Sequence, residues 1–504
     1  MNGSGNCNID ICLVTPPSPF LLDERVFLHL GVLKVASSLE SKGHKVDFLD
    51  LSGVENYVDT ILEYAKKSGT KTFGITATTP QVPFAVNLSK ALKAYNKDLK
   101  LILGGPHVTL MNTASKREAK KGIHLSDRAT REISNMKKLF DVLVCGDGEY
   151  TIFEALKIDS GIIDADDRKS KYFLTNQQFD DLPLPARHLV DMNSYNYSIE
   201  GKRATSLIAQ LGCPFKCSFC SGRNSPFLRK IRQRSSESII DEMKHLYHTY
   251  GFTGFMFYDD ELNVNKALIP LLNKITDLQN DLGEEFMLRG FVKAELFNDE
   301  QAKAMYRAGF RWLLTGFESG DERILKNIKK MAKRDDNTRA VEIAKRNNLK
   351  VKALMSVGHA GESAETIENT KKWLLEVEPE EFDCTVITTY PGSPYFDDAV
   401  KINDTYVYTS DLTGDKLFQS NIDYLTELDY YKGDPNGGYV SYVWTDHLKP
   451  HEIVSLRNDL EKEVREKLNI KFNPARPGIK YEHSMGMGNM ILPKNILRST
   501  NDKN

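Results

Sequence analysis

Twice along this chain, apolar strand-like runs alternate with amphipathic helical segments, a pattern that leaves little room for anything but parallel sheets faced by helices. In roughly the first 155 residues the strand runs are IDICLVTPP, HKVDFLDLS, KTFGITATT, LKLILGGP and FDVLVCGDGE. Helical patterns such as VFLHLGVLKVASSLESKG and VPFAVNLSKALKAYN separate them. The second series, over residues 204–395, has six strand–helix repeats, from ATSLIAQ to FDCTVITTYPGSP. Six repeats suffice for a partial barrel with an open side, not for a closed eightfold one.

The expected fold class is therefore α/β with three parts. Residues 1–156 form a Rossmann-like domain, and 157–200, which include FDDLPLPARHLVDM, form a proline-containing linker. Residues 201–398 form a partial (β/α)6 barrel, and 399–504 a small, mostly helical cap whose tyrosines precede one long amphipathic helix. The charged stretch 111–138 is expected to be a solvated helical insertion.

Composition narrows the partners. A formal net charge of −2 over 504 residues gives no overall basic field, so nucleic acid is not an expected substrate. No run approaches the length of a membrane span, and MNGSGNCNID lacks the basic and apolar regions of a leader, so a cytoplasmic protein is expected. Seven cysteines, three of them in one loop, argue against a disulfide framework and for a reducing compartment. Cys12, Cys145 and Cys384 lie in apolar runs and read as core residues; Cys7 stands apart. The basic run at 228–234, LRKIRQR, has no aromatic stacking platform and reads as a solvated loop.

Chemistry concentrates in LGCPFKCSFCSGRN, where Cys213, Cys217 and Cys220 have no histidine or fourth cysteine near them in sequence. A [4Fe–4S] cluster normally takes one thiolate per iron, so three ligands leave one iron open to a small molecule. A structural zinc would close its tetrahedron with a fourth ligand, and a zinc knuckle or a redox CxxC remains the competing reading. In both kinds of α/β unit the carboxyl ends of the strands carry the site. On the barrel those ends hold Asp259, Asp260, Glu261, Glu318, Gly358 and Gly361, with Arg289 on the third strand as a fork for a carboxylate of a cofactor or substrate or as a structural ion-pair partner. On the first domain they hold Thr15, Thr78, Gly104, Gly105, His107, Gly146, Gly148 and Glu149, with no GxGxxG after the first strand.

A CxxxCxxC loop that follows a strand and has an aromatic before its last cysteine resembles the radical S-adenosylmethionine (SAM) superfamily. The turns GFESG at 316–320, GHAGE at 358–362 and YPGSP at 390–394 extend the likeness. The first domain, with its GGPH and GDGE turns, resembles the cobalamin-binding domain upstream of many such enzymes. By this resemblance Cys213, Cys217 and Cys220 hold a [4Fe–4S] cluster, and one electron cleaves the SAM on its open iron to a 5′-deoxyadenosyl radical. Phe219, Asp260, Glu261, Glu318, Gly358 and Gly361 would contact SAM. Thr15, Thr78, Gly104, Gly105, His107, Gly146, Gly148 and Glu149 would contact cobalamin. The DxHxxG signature is absent, so no histidine of this domain is expected on cobalt.

The implied activity is modification of an unactivated carbon of a small molecule, most commonly C-methylation, fed by a one-electron donor such as flavodoxin or ferredoxin. Oxidative cyclisation or rearrangement without methyl transfer, as in the anaerobic magnesium-protoporphyrin ester cyclases, and a non-catalytic cobalamin- or cluster-binding regulator are the alternatives.

Overall fold

The first alternating series forms one parallel sheet in the computed structural model, which describes residues 9–19, 21, 24–121, 127–431, 433 and 438–470. Its strands are β1 (Ile11–Thr15), β2 (Val46–Asp50), β3 (Thr72–Thr76), β4 (Lys100–Gly104), β5 (Val142–Cys145) and β6 (Gly161–Asp164), in the spatial order 2-1-3-4-5-6. With β2 and β3 on opposite sides of β1, the chain turns both ways from one strand end, which is where open α/β sheets leave a crevice. Helices Leu30–Glu40 and Gly148–Ala155 bury Val32, Ala36 and Ile152 against Ile11, Leu13, Ile102 and Val144 on one face. Four helices cover the other face. The sixth strand comes from residues expected in the linker; at four residues it is too short to display an alternation.

The charged stretch 111–138 is helical, as expected, but it is not a solvated insertion. Its described residues other than Asp127 fall in helices Pro106–Lys121 and Arg128–Leu139, and Ala129, Ile133 and Met136 are buried against the sheet. Apolar residues at helical spacing face inward and most charges stay outward, although Arg128 and Glu132 are buried too. Cys12, Cys145 and Cys384 are buried free thiols; Cys7 lies outside the described residues.

The second series curls into a half-barrel. A short β7 (Ser198–Ile199) runs antiparallel to β8 (Lys202–Leu207), and β9 (Gln210–Leu211) with β10 (Arg232–Gln233) clamps the base of the cysteine loop. Then come β11 (Gly254–Phe257), β12 (Met287–Phe291), β13 (Phe310–Glu318), β14 (Lys350–Val357) and β15 (Glu381–Val386). The sheet order is 7-8-11-12-13-14-15, with β8 and β11–β15 supplying six parallel strands.

The C-terminal part adds an antiparallel sheet of β16 (Val400–Ile402), β17 (Thr405–Thr409), β18 (Lys416–Gln419) and β19 (Val443–Trp444) to the expected long helix, Pro450–Leu468. That helix docks beside edge strand β15, where Arg457 Nε donates to the Cys384 carbonyl (2.6 Å) and Cys384 N donates to Glu461 (2.7 Å). Its side chains thereby satisfy an edge that would otherwise be open to another strand. Among the described residues no helix is long and apolar enough to cross a membrane.

Buried ion pairs fasten the parts together. Arg187 of the linker pairs with Glu242 of the barrel at 2.7 Å, and Arg232 meets Asp147 of the first domain through two 2.6 Å contacts. The run 228–234 is therefore no solvated loop: Arg232 and Arg234 are buried, each on a carboxylate, although Lys230 remains exposed.

Candidate functional site

The cysteine loop is held by its backbone. Cys213 N donates to the Leu228 carbonyl (3.0 Å), Ser218 N to that of Ile328 (2.8 Å), and Gly212 N to the Asp260 carboxylate (3.1 Å). Gly212 has φ +89°, and a side chain there would run into the Lys230 carbonyl, so only glycine lets the loop turn away from β9. Arg223 donates to the carbonyls of Cys213 and Phe215, both at 2.7 Å, and keeps a guanidinium against the thiols. Burial pushes the Cys213 thiol up and takes Cys220 up to about 12, while Arg223 opposes both shifts. Cys217 and Cys213 each raise Cys220 further, so the three thiols share one space. Thiols so disposed ionise on taking up metal. Among the described residues no three His, Cys, Asp or Glu side chains converge on a single ion. A four-iron cube suits that arrangement, because it gives each thiolate an iron of its own.

Around the loop lies a ring of charge from four strand ends. Asp259 accepts from Ala209 N (3.1 Å) and Gln210 N, which fixes the turn after β8; burial pushes it up to about 7. Its neighbour Asp260 keeps solvent exposure, and its carboxyl is raised by the surrounding protein while Arg223 pulls it down. Burial takes Glu261 up to about 7, against the pull of Lys330 and Lys293. Glu318 ends β13 with φ +67°, a strained setting for a non-glycine residue. It takes the buried Lys330 at 3.3 Å and the Ser356 hydroxyl at 2.8 Å. Although burial opposes it, Glu318, Cys217 and Glu261 hold Lys330 well above an ordinary lysine. Ser356 also meets His359 Nε2 (2.8 Å), whose ring burial pushes down to about 3, so that it is a neutral hydrogen-bonding group.

The structure thus gathers Cys213, Cys217, Cys220, Asp260, Glu261 and Glu318, and it gives other partners to three residues expected beside SAM. Phe219 packs on Ile324, Leu325 and Ile328 and sits edge-on to His359, 5.3 Å between centroids. A Cβ on Gly358 would meet Val443 at 3.2 Å, and one on Gly361 would meet Asp415 at 2.5 Å, so both glycines back onto the C-terminal part. Arg223, Lys330 and Ser356 were not foreseen; SGRN hinted at Arg223, and nothing local marked the other two.

A cavity of ≈ 250 Å³ descends from the carboxyl ends of β3–β5 beneath helices Leu30–Glu40 and Gly148–Ala155. Gly74, Gly104, Gly105, Gly146 and Gly148 line it, and Leu211, Phe227 and Leu228 from the cysteine-loop hairpin roof it. Gly105 has φ +100°, and a Cβ there would lie 2.8 Å from Ala77 N. The expected Glu149 is also in the wall, raised to about 7 by burial and then by Asp147, opposite Lys34, which burial lowers to about 8. Thr15, Thr78 and His107 are not in it. The Thr78 hydroxyl donates to Gln81 (2.8 Å), and His107 is buried on the opposite face, 2.8 Å from Glu132. The glycine-lined, mostly apolar space fits the planar end of a large ligand whose bulk stays at the domain junction.

Family comparisons agree with this geometry. The radical SAM superfamily model matches residues 207–374, and the B12 binding domain model matches residues 25–127. An uncharacterized methyltransferase of Pyrococcus horikoshii is 27% identical over 409 residues, covering 78% of this chain and 83% of its own. The anaerobic magnesium-protoporphyrin IX monomethyl ester cyclase of Rubrivivax gelatinosus is 26% identical, covering 75% of this chain and 68% of its own. Among solved structures, the radical SAM methyltransferase TsrM of Kitasatospora setae, with cobalamin and a [4Fe–4S] cluster bound, superposes with a TM-score of 0.58 at 15% identity, covering 93% of this chain and 90% of that one. Fold and site together define a radical SAM enzyme. Within that superfamily the chain belongs to the enzymes that carry an N-terminal B12-binding domain, and its cofactors are a [4Fe–4S] cluster, SAM and cobalamin.

Proposed function

We propose that this protein is a cobalamin-dependent radical SAM methyltransferase that adds a methyl group to an unactivated carbon of a small molecule in the cytoplasm. The observation that carries the reading is the shared boundary of the two sites: Leu228, whose carbonyl fixes Cys213, also roofs the cavity above Gly104 and Gly105. When bound, the cluster delivers the electron that cleaves SAM and cobalamin supplies the methyl group, chemistry that belongs to the cofactors. The chain's residues position them. Cys213, Cys217 and Cys220 are the thiolates, and Arg223 favours the ionised form of Cys213 and Cys220. Asp260, Glu261 and Glu318 present acceptors to the open iron's ligand, with Lys330 fixing Glu318. Gly104, Gly105, Gly146, Gly148 and Glu149 cradle the cobalamin tail.

Anaerobically reconstituted protein should contain iron and cobalamin and yield a product heavier by one CH2 unit. Cobalamin-free protein should still cleave SAM but lose the mass gain. A changed product with no carbon gained would replace methylation by cyclisation or rearrangement, the former being the activity in the name of the Rubrivivax relative.

The electron comes from an external donor such as a flavodoxin or ferredoxin. Exposed Lys216 within the cysteine loop, with Lys326, Lys333 and the 72% exposed Met331 alongside, offers such an acidic protein a cationic rim around an apolar centre. Reduction by that donor should slow several-fold as salt rises from about 0.05 to 0.3 M, while reduction by dithionite should not. Equal salt response of the two would remove the cationic rim from the account.

A further inference from the structure

We propose that the half-barrel binds a substrate with a carboxylate on a flat, apolar body, and that Arg289 is the residue that receives the carboxylate. This inference rests on the reading of the chain as an enzyme acting on a small molecule, and names the class of that molecule.

Arg289 lies in the middle of β12, on the face turned into the barrel, in register with Met256 of β11 and Trp312 of β13. It is only 6% exposed. Among the described residues no carboxylate pairs with it and its Nε has no hydrogen-bond partner; the guanidinium lies 5.5 Å from the Trp312 ring centroid and within hydrogen-bonding reach of the Tyr197 phenol. A buried cation without a counter-ion is costly, and proteins seldom keep one for structural reasons. On β15 the acids are already engaged, Asp383 with Lys352 at 3.2 Å and Glu381 with Arg465 at 2.9 Å, and the exposed Glu200 of the β7–β8 turn pairs with Lys350 at 2.8 Å. One unmatched positive charge calls for one negative charge, and a planar guanidinium fork matches a carboxylate.

The space beside it is open. In a filled barrel the inward side chains are the most buried. Here the inward face is uneven: Met256 and Leu314 are fully buried, but Met287, Phe291, Trp312 and Leu354 are only partly so, whereas the outward Leu288 and Leu313 are 0% and 1% exposed. Tyr258, after β11, is 38% exposed and yet enclosed enough for burial to raise its phenol. Phe27 reaches in from the first domain and stands 4.7 Å from Tyr197 and 5.4 Å from Tyr258 between ring centroids. Rings set at these angles around a hollow, with the Trp312 plane under the guanidinium, accept a flat apolar group and steer its acidic end to Arg289.

The test uses 1-naphthaleneacetate and its uncharged analogue 1-naphthaleneacetamide as probes, titrated calorimetrically into anaerobically reconstituted holoprotein. The acid should bind about 10-fold or more tightly than the amide, the tenfold step of one charge-assisted contact. Arg289→Gln should bind acid and amide alike, and Arg289→Lys should keep part of the preference. Because the Gln variant removes an unpaired charge, its thermal midpoint should stay level or rise. Equal binding of the two probes to the unaltered protein, an acid preference that survives in Arg289→Gln, or a clear fall of that variant's midpoint would overturn the proposal. Dithionite-driven SAM cleavage reports separately on the enzyme reading: its absence from the unaltered protein would sink that reading, whatever the probes do.

Discussion

Replacing Cys217 with alanine is expected to reduce 5′-deoxyadenosine formation to background and to lower bound iron, with the fold intact. The thiol is buried, yet loss of one sulfur from an irregular loop leaves a small cavity next to Lys330, and the backbone bonds of Cys213, Ser218 and Gly212 do not involve it. The stability cost should be about 1 kcal/mol, the low end of large-to-small changes. Activity, in contrast, falls all the way, because two thiolates cannot hold a cube with three irons that need protein ligands. Cys12→Ala provides the contrast: that thiol is equally buried, but lies in β1 at the far side of the first domain and hydrogen-bonds the Leu13 carbonyl. It should cost similar stability and leave iron and SAM cleavage unchanged. Iron analysis, visible absorption and chromatography of deoxyadenosine decide the matter; SAM cleavage by Cys217→Ala at the unaltered rate would sink the cluster assignment.

The framework was legible because its signal is periodic. Strands buried on both faces, such as LKLILGGP and FDVLVCGDGE, read as apolar runs, and the glycines that end them mark where a ligand or another backbone comes close. The six barrel repeats and the cysteine loop were legible on the same grounds. What stayed hidden depends on pairing across long separations. Lys330 meets Glu318 only because β13 ends in a left-handed residue that swings its carboxylate back, and no local pattern announces that. Arg232 and Arg234 look solvated in LRKIRQR; burial came from Asp147 and Glu242, residues distant in sequence. His107 follows GGP and so sits near a strand end, but its first helical turn carries the ring to the opposite face and onto Glu132. Helix rotation, not proximity to the motif, decides which residues reach the cavity.

The same buried pairs make a second large effect testable. Glu242 receives Arg187 from the linker at 2.7 Å and Arg234 from the end of the cysteine-loop hairpin, with all three side chains 2% exposed. Arg187 also donates to the Ser206 carbonyl on β8 (2.9 Å), and Arg234 to that of Ile208 (3.0 Å), so one carboxylate ties the linker, the first barrel strand and the base of the cluster loop. Burial alone would raise Glu242; the two guanidiniums overcome it and take the carboxyl down to about 2. A depressed carboxyl stabilises the fold fully above its unfolded value and loses that contribution as pH falls toward the folded one. The drop of roughly two and a half units corresponds to about 3 kcal/mol, present at pH 6 and fading between about pH 5 and 2. Glu242→Gln removes the charge at every pH and leaves two buried cations facing a neutral amide, a change worth about 3–5 kcal/mol. Urea unfolding at pH 7 should therefore show the variant weaker by that amount, with the difference shrinking steadily as both proteins are titrated toward pH 3. Arg234 would also lose its anchor, so the variant's cluster should be more easily lost to a chelator. A gap that stays constant from pH 7 to pH 3 would mean that Glu242 is not ionised in the fold.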